Sequence, residues 1–251
     1  MRLPSKKSLI SSEIALVLAL SLGASAIYSV ISFAAKALSQ GGIGKQTSTL
    51  NRNLAETEWV NLTLQLASFV FGLAPVALVL FLIWRESRNP FAAFGLTNGS
   101  RLRDVGGGVL LAAAIGIPGI LLYLASRLLG WSSKVIPTEL GGYWWTIPLL
   151  LLAAAKASIV EETIAVAYLF DRMNILGVSS AHQIWLSAAL RGTYHLYQGF
   201  GAFVGNLAMG LVFGYLYKRF GRLTPLLVAH FVLDAVAFVG FALLGNTLKL
   251  P

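Results

Sequence analysis

The sequence predicts an all-α fold, a polytopic transmembrane bundle of about seven helices with a cytoplasmic N-terminus, and three observations carry that prediction. Hydrophobic residues make up 57% of the 251 and charged residues 12%, with a mean hydropathy of +0.75, beyond what a soluble domain carries. Apolar runs long enough to cross a bilayer recur along the chain. Basic residues cluster at the ends of those runs, so the net charge of +9 serves as an orientation signal, with membrane lipid as the expected partner and nucleic acid excluded. There are no cysteines, which rules out disulfides and thiolate chemistry.

The elements follow in order. Arg2, Lys6 and Lys7 precede an apolar run from about Ile14 to Ala35, which continues past Ala24-Ser25-Ala26, a signal-like cleavage site, and reads as an uncleaved first span. Lys36 to Glu58 is polar and reads as an exposed loop, with Trp59 as an interfacial anchor. The second span runs from about Val60 to Trp84, interrupted by Pro75, and the loop after it holds Arg85, Arg88, Arg101 and Arg103. A glycine-rich third span, about Val105 to Leu129, has Pro118 at its centre. After a short loop with Trp131, Pro137 and Gly141-Gly142, the fourth span begins near Tyr143. The fifth, sixth and seventh run from about His182 to Tyr197, Phe203 to Tyr217 and Leu223 to Leu244.

Charge asymmetry supports this layout. The proposed cytoplasmic side collects Arg2, Lys6, Lys7, Arg85, Arg88, Arg101, Arg103, Arg172, Lys218, Arg219 and Arg222, and the other side Lys36, Lys45, Arg52, Arg127, Lys134 and Lys249. No internal repeat accompanies the spans, which weighs against an inverted-repeat transporter. The chain divides at Tyr143, with N-terminal segments and loops in residues 1–142 and a polar-bearing helix core in 143–251.

Three spans carry ionisable groups at depth, which in hydrocarbon marks a functional site. The fourth holds Glu161 and Glu162, the fifth Arg191, Tyr194, His195 and Gln198, and the seventh His230 and Asp234 on one helical face. At about 1.5 Å per residue, Glu162 lies roughly 15 Å from Arg172, Arg191 roughly 14 Å from His182 and Asp234 roughly 18 Å from Arg222. These groups therefore share one layer. A carboxylate there can take a proton from water, imidazoles can orient that water or donate to a leaving group, and donors can hold an oxyanion, which amounts to peptide hydrolysis without a covalent intermediate. Ser158 and Ser187, the nearest serines, lack the spacing of an activated nucleophile. A zinc ion on Glu161, His195 and His230 is the alternative chemistry, although no HExxH pairing supports it. Lys156 reads as a snorkelling or pore-facing cation and His182 as a cap neighbour.

The motifs Glu161-Glu162, His195 and His230-Phe231-Val232-Leu233-Asp234 resemble those of the CAAX-protease and bacteriocin-processing (CPBP) family of intramembrane proteases, over roughly Leu149 to Gly245. The resemblance implies a metal-free, CAAX prenyl endopeptidase-like glutamate protease without cofactor, multi-pass in the cell membrane, acting on a protein or peptide substrate. It makes residues 143–251 the catalytic core, Glu161 the general base, His195 an activator of the water, and His230 with Asp234 the oxyanion partners, while Glu162 shapes the site. Two positions depart from the family pattern. Val166 stands where the first motif has arginine, and Arg191 where the second has an aromatic residue. Arg191, at matched depth, is the expected replacement partner for the glutamates, with Tyr194 and Gln198 beside His195 as supporting residues. Asp234 stands where asparagine is commoner, and an ionised Asp cannot donate to an oxyanion, so it must be protonated or orient His230. A non-catalytic immunity or regulatory protein, binding a peptide or lipid-linked ligand in the same cavity, is the alternative reading. A proton-coupled transporter is disfavoured because the polar layer stays at one depth.

Overall fold

The structure is a computed structural model and describes residues 5–97 and 101–248, without the side chains of residues 101 and 246–248; Arg2, Ser100 and Lys249 lie outside the described residues. The chain is built of helices. α1 (Lys6–Ala19) starts where the Ser5 hydroxyl accepts the Ser8 amide at 3.2 Å. α2 (Leu22–Leu38) leaves α1 at 53°, so the expected first span is a bent pair rather than one straight rod. The break has a local cause, because the Ser21 hydroxyl donates to the Val17 carbonyl at 2.6 Å and draws the backbone off its helical path.

α3 (Glu58–Gly72) and α4 (Ala74–Arg85) form the next apolar stretch, with Pro75 in the first turn of α4, where its missing N–H costs nothing. A short α5 (Pro90–Ala93) leads to α6 (Arg101–Leu128), which carries Pro118 in its interior. α7 (Thr146–Glu161) runs through a π-helical segment, Glu162–Tyr168, into α8 (Leu169–Leu176), closed by Gly177 in the left-handed region. α9 (Ser180–His195), α10 (Phe200–Phe220) and α11 (Thr224–Leu248) complete the chain. His182 sits in the first turn of α9 with its ring nitrogen 2.7 Å from the Ser179 hydroxyl, the cap neighbour its position predicted.

The two loops read as irregular contain a parallel strand pair, β1 (Thr47–Asn51) and β2 (Lys134–Thr138), in register from Thr47 opposite Lys134 to Asn51 opposite Thr138. Period-2 alternation is too short in either segment to announce a strand, and only their meeting across the fold makes one.

Among the described residues four stretches are long and apolar enough to cross a membrane, namely Glu58–Arg85, Leu102–Leu128, Phe200–Phe220 and Thr224–Gly245, with a fifth if the bent α1–α2 pair is one span. The expected count of seven adds two more, α7–α8 and α9. These are broken by the π-helical segment or shortened to 16 residues. α9 lies against α2 and α10, and α11 against α6 and α7.

One basic residue counted as an orientation charge has a different place. Arg172 is fully buried, with Nε 2.8 Å from Glu13 and Nη1 2.7 Å from Glu86 and 3.6 Å from Asp171. Arg88 pairs in turn with Asp171 at 2.6 Å. A guanidinium taken from water needs such partners, and here they join α1, α4 and α8 directly below the π-helical segment. Lys156, half-buried in α7, lies along α3, where a side chain added at Gly72 would meet its Cδ at 2.9 Å.

Candidate active site

The glutamate pair sits where α7 gives way to the π-helical segment, with Glu161 as the last α-helical residue and Glu162 the first of the wider turns. A π-helical turn leaves carbonyls out of the regular ladder, and such turns are frequent at functional sites. Here the Ser187 hydroxyl of α9 donates to the Ala165 carbonyl at 2.7 Å, both groups buried. Ser187 thus braces the backbone that carries the glutamates instead of serving as a nucleophile.

α9 presents Ser187, Arg191, Tyr194 and His195 at positions i, i+4, i+7 and i+8, one stripe along a helix. Its close approach to α10 depends on Gly210, where a Cβ would come within 2.7 Å of the Ala188 Cα. That contact lets the fully buried Phe213 ring cover the Arg191 guanidinium, 5.4 Å from its centroid.

Glu162 has no exposed surface, and its Oε1 accepts from Arg191 Nη2 at 2.5 Å and from His230 Nδ1 at 2.7 Å. Arg191, also fully buried, reaches Glu161 Oε2 through Nη1 at 3.5 Å. The guanidinium therefore faces both carboxylates from α9, with Val166 packed wholly inside the apolar core. Glu161 Oε2 also accepts from the Tyr194 hydroxyl at 2.7 Å and lies 3.9 Å from His230 Nε2. The Glu161 side chain keeps 14% of its surface exposed, which separates the two acids: Glu161 is reachable, and Glu162 is locked between an arginine and a histidine.

His230 Nε2 is 3.5 Å from Asp234 Oδ2, and Asp234 is the most open of these acids at 25% side-chain exposure. The ring of His230 is thus held between carboxylates of two helices. His195 donates from Nδ1 to the Arg191 carbonyl at 3.1 Å, which leaves Nε2 as the free nitrogen, and its ring lies 4.8 Å from that of Tyr194. It makes no ion pair among the described residues, so the structure brings Glu161, Glu162, Arg191, Tyr194, His230 and Asp234 into contact and leaves His195 at the margin. Gln198 makes no direct bond to the acids among the described residues and reaches the layer through Tyr197. Its side-chain amide donates to the Tyr197 hydroxyl at 2.9 Å, while its backbone carbonyl accepts from Ser133.

Among the described residues, no three His, Cys, Asp or Glu side chains form an arrangement suited to a metal. The zinc set of Glu161, His195 and His230 fits poorly here, because Arg191 and Tyr194 already address Glu161 and the described contacts do not join His195 to either partner. Ser187, Phe213 and the π-helical segment were not anticipated as parts of the site. The spacing of Ser187 to Arg191 was the one available signal, since Glu162–Tyr168 contains no glycine or proline to announce a change of helix.

Comparison with known proteins agrees with the motifs. No curated protein and no solved structure gives a match. Residues 143–236 match the family described as Rce1-like, type II CAAX prenyl endopeptidase, a stretch that contains both glutamates, Arg191, His195, His230 and Asp234. These residues carry the similarity of this chain to the CAAX-protease and bacteriocin-processing family of membrane proteases, which the match supports.

Proposed function

We propose that this protein is a multi-pass cell-membrane endopeptidase of the CAAX prenyl type, in which Glu161 activates water for attack on a peptide bond near the C-terminus of a membrane-associated substrate. The convergence of both glutamates with Arg191, Tyr194 and His230 from two other helices carries this reading.

Glu161 takes a proton from the attacking water as its oxygen bonds to the scissile carbonyl carbon, with His195 Nε2 orienting that water. The oxyanion so formed is met by the Nε2–H of His230. Glu162 on Nδ1 holds that imidazole in place, and Asp234, 3.5 Å from the same Nε2, orients it before substrate binds and gives up that place to the oxyanion. Glu161 then passes its proton to the leaving amine as the C–N bond breaks. Glu162 holds Arg191 and His230 in place, and Tyr194 fixes the Glu161 carboxylate. Every proton is accounted for by these side chains, so no step is routed through a metal.

The test is cleavage by the purified protein, reconstituted in liposomes, of a farnesylated peptide ending in a CAAX sequence, with the same peptide unprenylated alongside. Release of the C-terminal fragment by mass spectrometry is the expected result. Equal cleavage of both peptides would move the substrate class to membrane-bound peptides at large, and saturable binding without cleavage would return the non-catalytic regulatory reading.

The proposed topology has seven spans with the N-terminus inside, counting α7–α8 and α9 with the five apolar stretches. Reporter fusions after Ser100 and Phe220 are expected to report the cytoplasm, and fusions after Gln46 and Lys249 the opposite side. A cytoplasmic signal after Lys249 would mean an even number of spans.

A further inference from the structure

The backbone that follows His195 is held by segments that precede the family-matched residues 143–236. α9 ends at His195 and passes through a 3-10 turn, Leu196–Gln198, to Gly199. The last carbonyls of a helix need donors from outside it. Here the Tyr197 carbonyl accepts from Lys36 Nζ at 2.8 Å and from the Ser48 hydroxyl at 3.1 Å, while the Tyr197 amide donates to the Ser29 hydroxyl at 2.7 Å. The Gln198 carbonyl accepts both the Ser133 amide, at 2.9 Å, and the Ser133 hydroxyl, at 3.0 Å. Lys36 also donates to Ser48, and the hydroxyls of Ser48 and Ser133, both buried, lie 2.7 Å apart. Gly199, at φ +122°, closes the turn against Ser132, where a Cβ would meet the Ser132 Cα at 2.5 Å.

Three separate segments therefore converge on two peptide units of the turn: α2, β1 and the loop before β2. Among the described residues Lys36 is the cation that reaches a carbonyl of the turn. An ammonium at a helix C-terminus also opposes the negative end of the helix dipole. The imidazole of His195 takes its orientation from a bond to the Arg191 carbonyl within the last turn of the same helix, so fraying of that turn would release the ring. Among the described residues no side chain from another helix is hydrogen-bonded to His195, which makes its own backbone the main determinant of where Nε2 lies.

We propose that Lys36, acting through Ser48 and the Tyr197 carbonyl, is a positioning residue that holds the end of α9 and thereby sets His195 in the catalytic layer. The two-stranded β1–β2 pair then has a purpose in this chain: it fixes Ser48 beside Ser133 so that both hydroxyls reach the turn. The inference rests on the proposed role of His195 in hydrolysis.

The experiment compares wild type, Lys36→Met, Lys36→Arg and Ser48→Ala in liposomes by kcat, KM and hydrogen exchange of the amides from Thr193 to Gly199. Lys36→Met keeps the apolar stem and removes the donor. It is expected to lower kcat about ten- to a hundredfold with KM little changed, the scale of loss from displacing a group remote from the chemistry. Exchange at Tyr197 should quicken, and Lys36→Arg should restore most of both. If Lys36→Met does not fold, Ser48→Ala, which leaves the ammonium on the Tyr197 carbonyl, should show a smaller change of the same kind. Wild-type kcat in Lys36→Met, a loss confined to KM, or unchanged exchange would overturn the proposal. A wild-type protein that cleaves nothing while Lys36→Met still loses protection would overturn the proteolytic reading and reduce the clamp to a helix cap.

Discussion

Glu161→Gln is expected to cut peptide cleavage by about 10²- to 10⁴-fold, the range that a positioned general base contributes, while the protein stays folded in detergent. The amide has the shape of the carboxylate but cannot take the proton from water. It retains an oxygen that can accept from Tyr194, whose hydroxyl donates to Glu161 Oε2 at 2.7 Å, so the local frame persists. The contact with Arg191 at 3.5 Å is long, and Glu161 keeps 14% of its side-chain surface exposed, which limits the structural cost. A kcat equal to wild type in the Gln variant would remove Glu161 as the base and with it the mechanism above. Tyr194→Phe gives a graded comparison on the same carboxylate, since it frees Glu161 without removing it.

The second large effect concerns stability as well as rate. Arg191→Met removes the guanidinium that lies 2.5 Å from Glu162 and leaves a carboxylate without surface exposure facing only His230. Breaking one partner of a buried pair costs about 3–5 kcal/mol, because the remaining charge is stranded rather than because the pair itself is worth that much. The melting temperature in detergent should fall and activity should be lost. Combining Arg191→Met with Glu162→Gln removes both charges, and the double variant should regain a substantial part of the stability while remaining inactive. Strict additivity of the two losses would show that the residues do not act as a pair. Lys at position 191 is a poor substitute, because a point charge lacks the planar fork that reaches Glu161 and Glu162 from one group.

The reading of Arg191 shows where local pattern was sufficient. Its depth on α9 and the valine at position 166 were both visible in the chain, and they placed the guanidinium beside the glutamates. The same holds for His230 and Asp234, four residues apart on one helix, and for α6, α10 and α11, whose long apolar runs make helices of a length that can cross a membrane. The residues of the family motifs lie within three short segments, so their order was legible before their contacts were.

The remaining features depend on residues far apart in the chain. The π-helical turns at Glu162–Tyr168 have no local marker, and the carbonyl of Ala165 is satisfied by a hydroxyl 22 residues later. Arg172 looked like an orientation charge because its neighbours in sequence are at a helix end, yet Glu13 and Glu86 close over it from α1 and α4. Gln198 stood next to His195 in the chain, and its side-chain amide bonds the Tyr197 hydroxyl rather than an acid of the pair. The strands β1 and β2 exist only as a pair, 87 residues apart in register, and neither alternates long enough to be read alone. Helical segments, apolar runs and the ionisable residues set within them are legible in the chain, because each follows from periodicity and transfer free energy along one segment. Which carboxylate is sealed and which is open depends instead on the distant donors that reach each oxygen, and Arg191, His230 and Tyr194 come from two other helices.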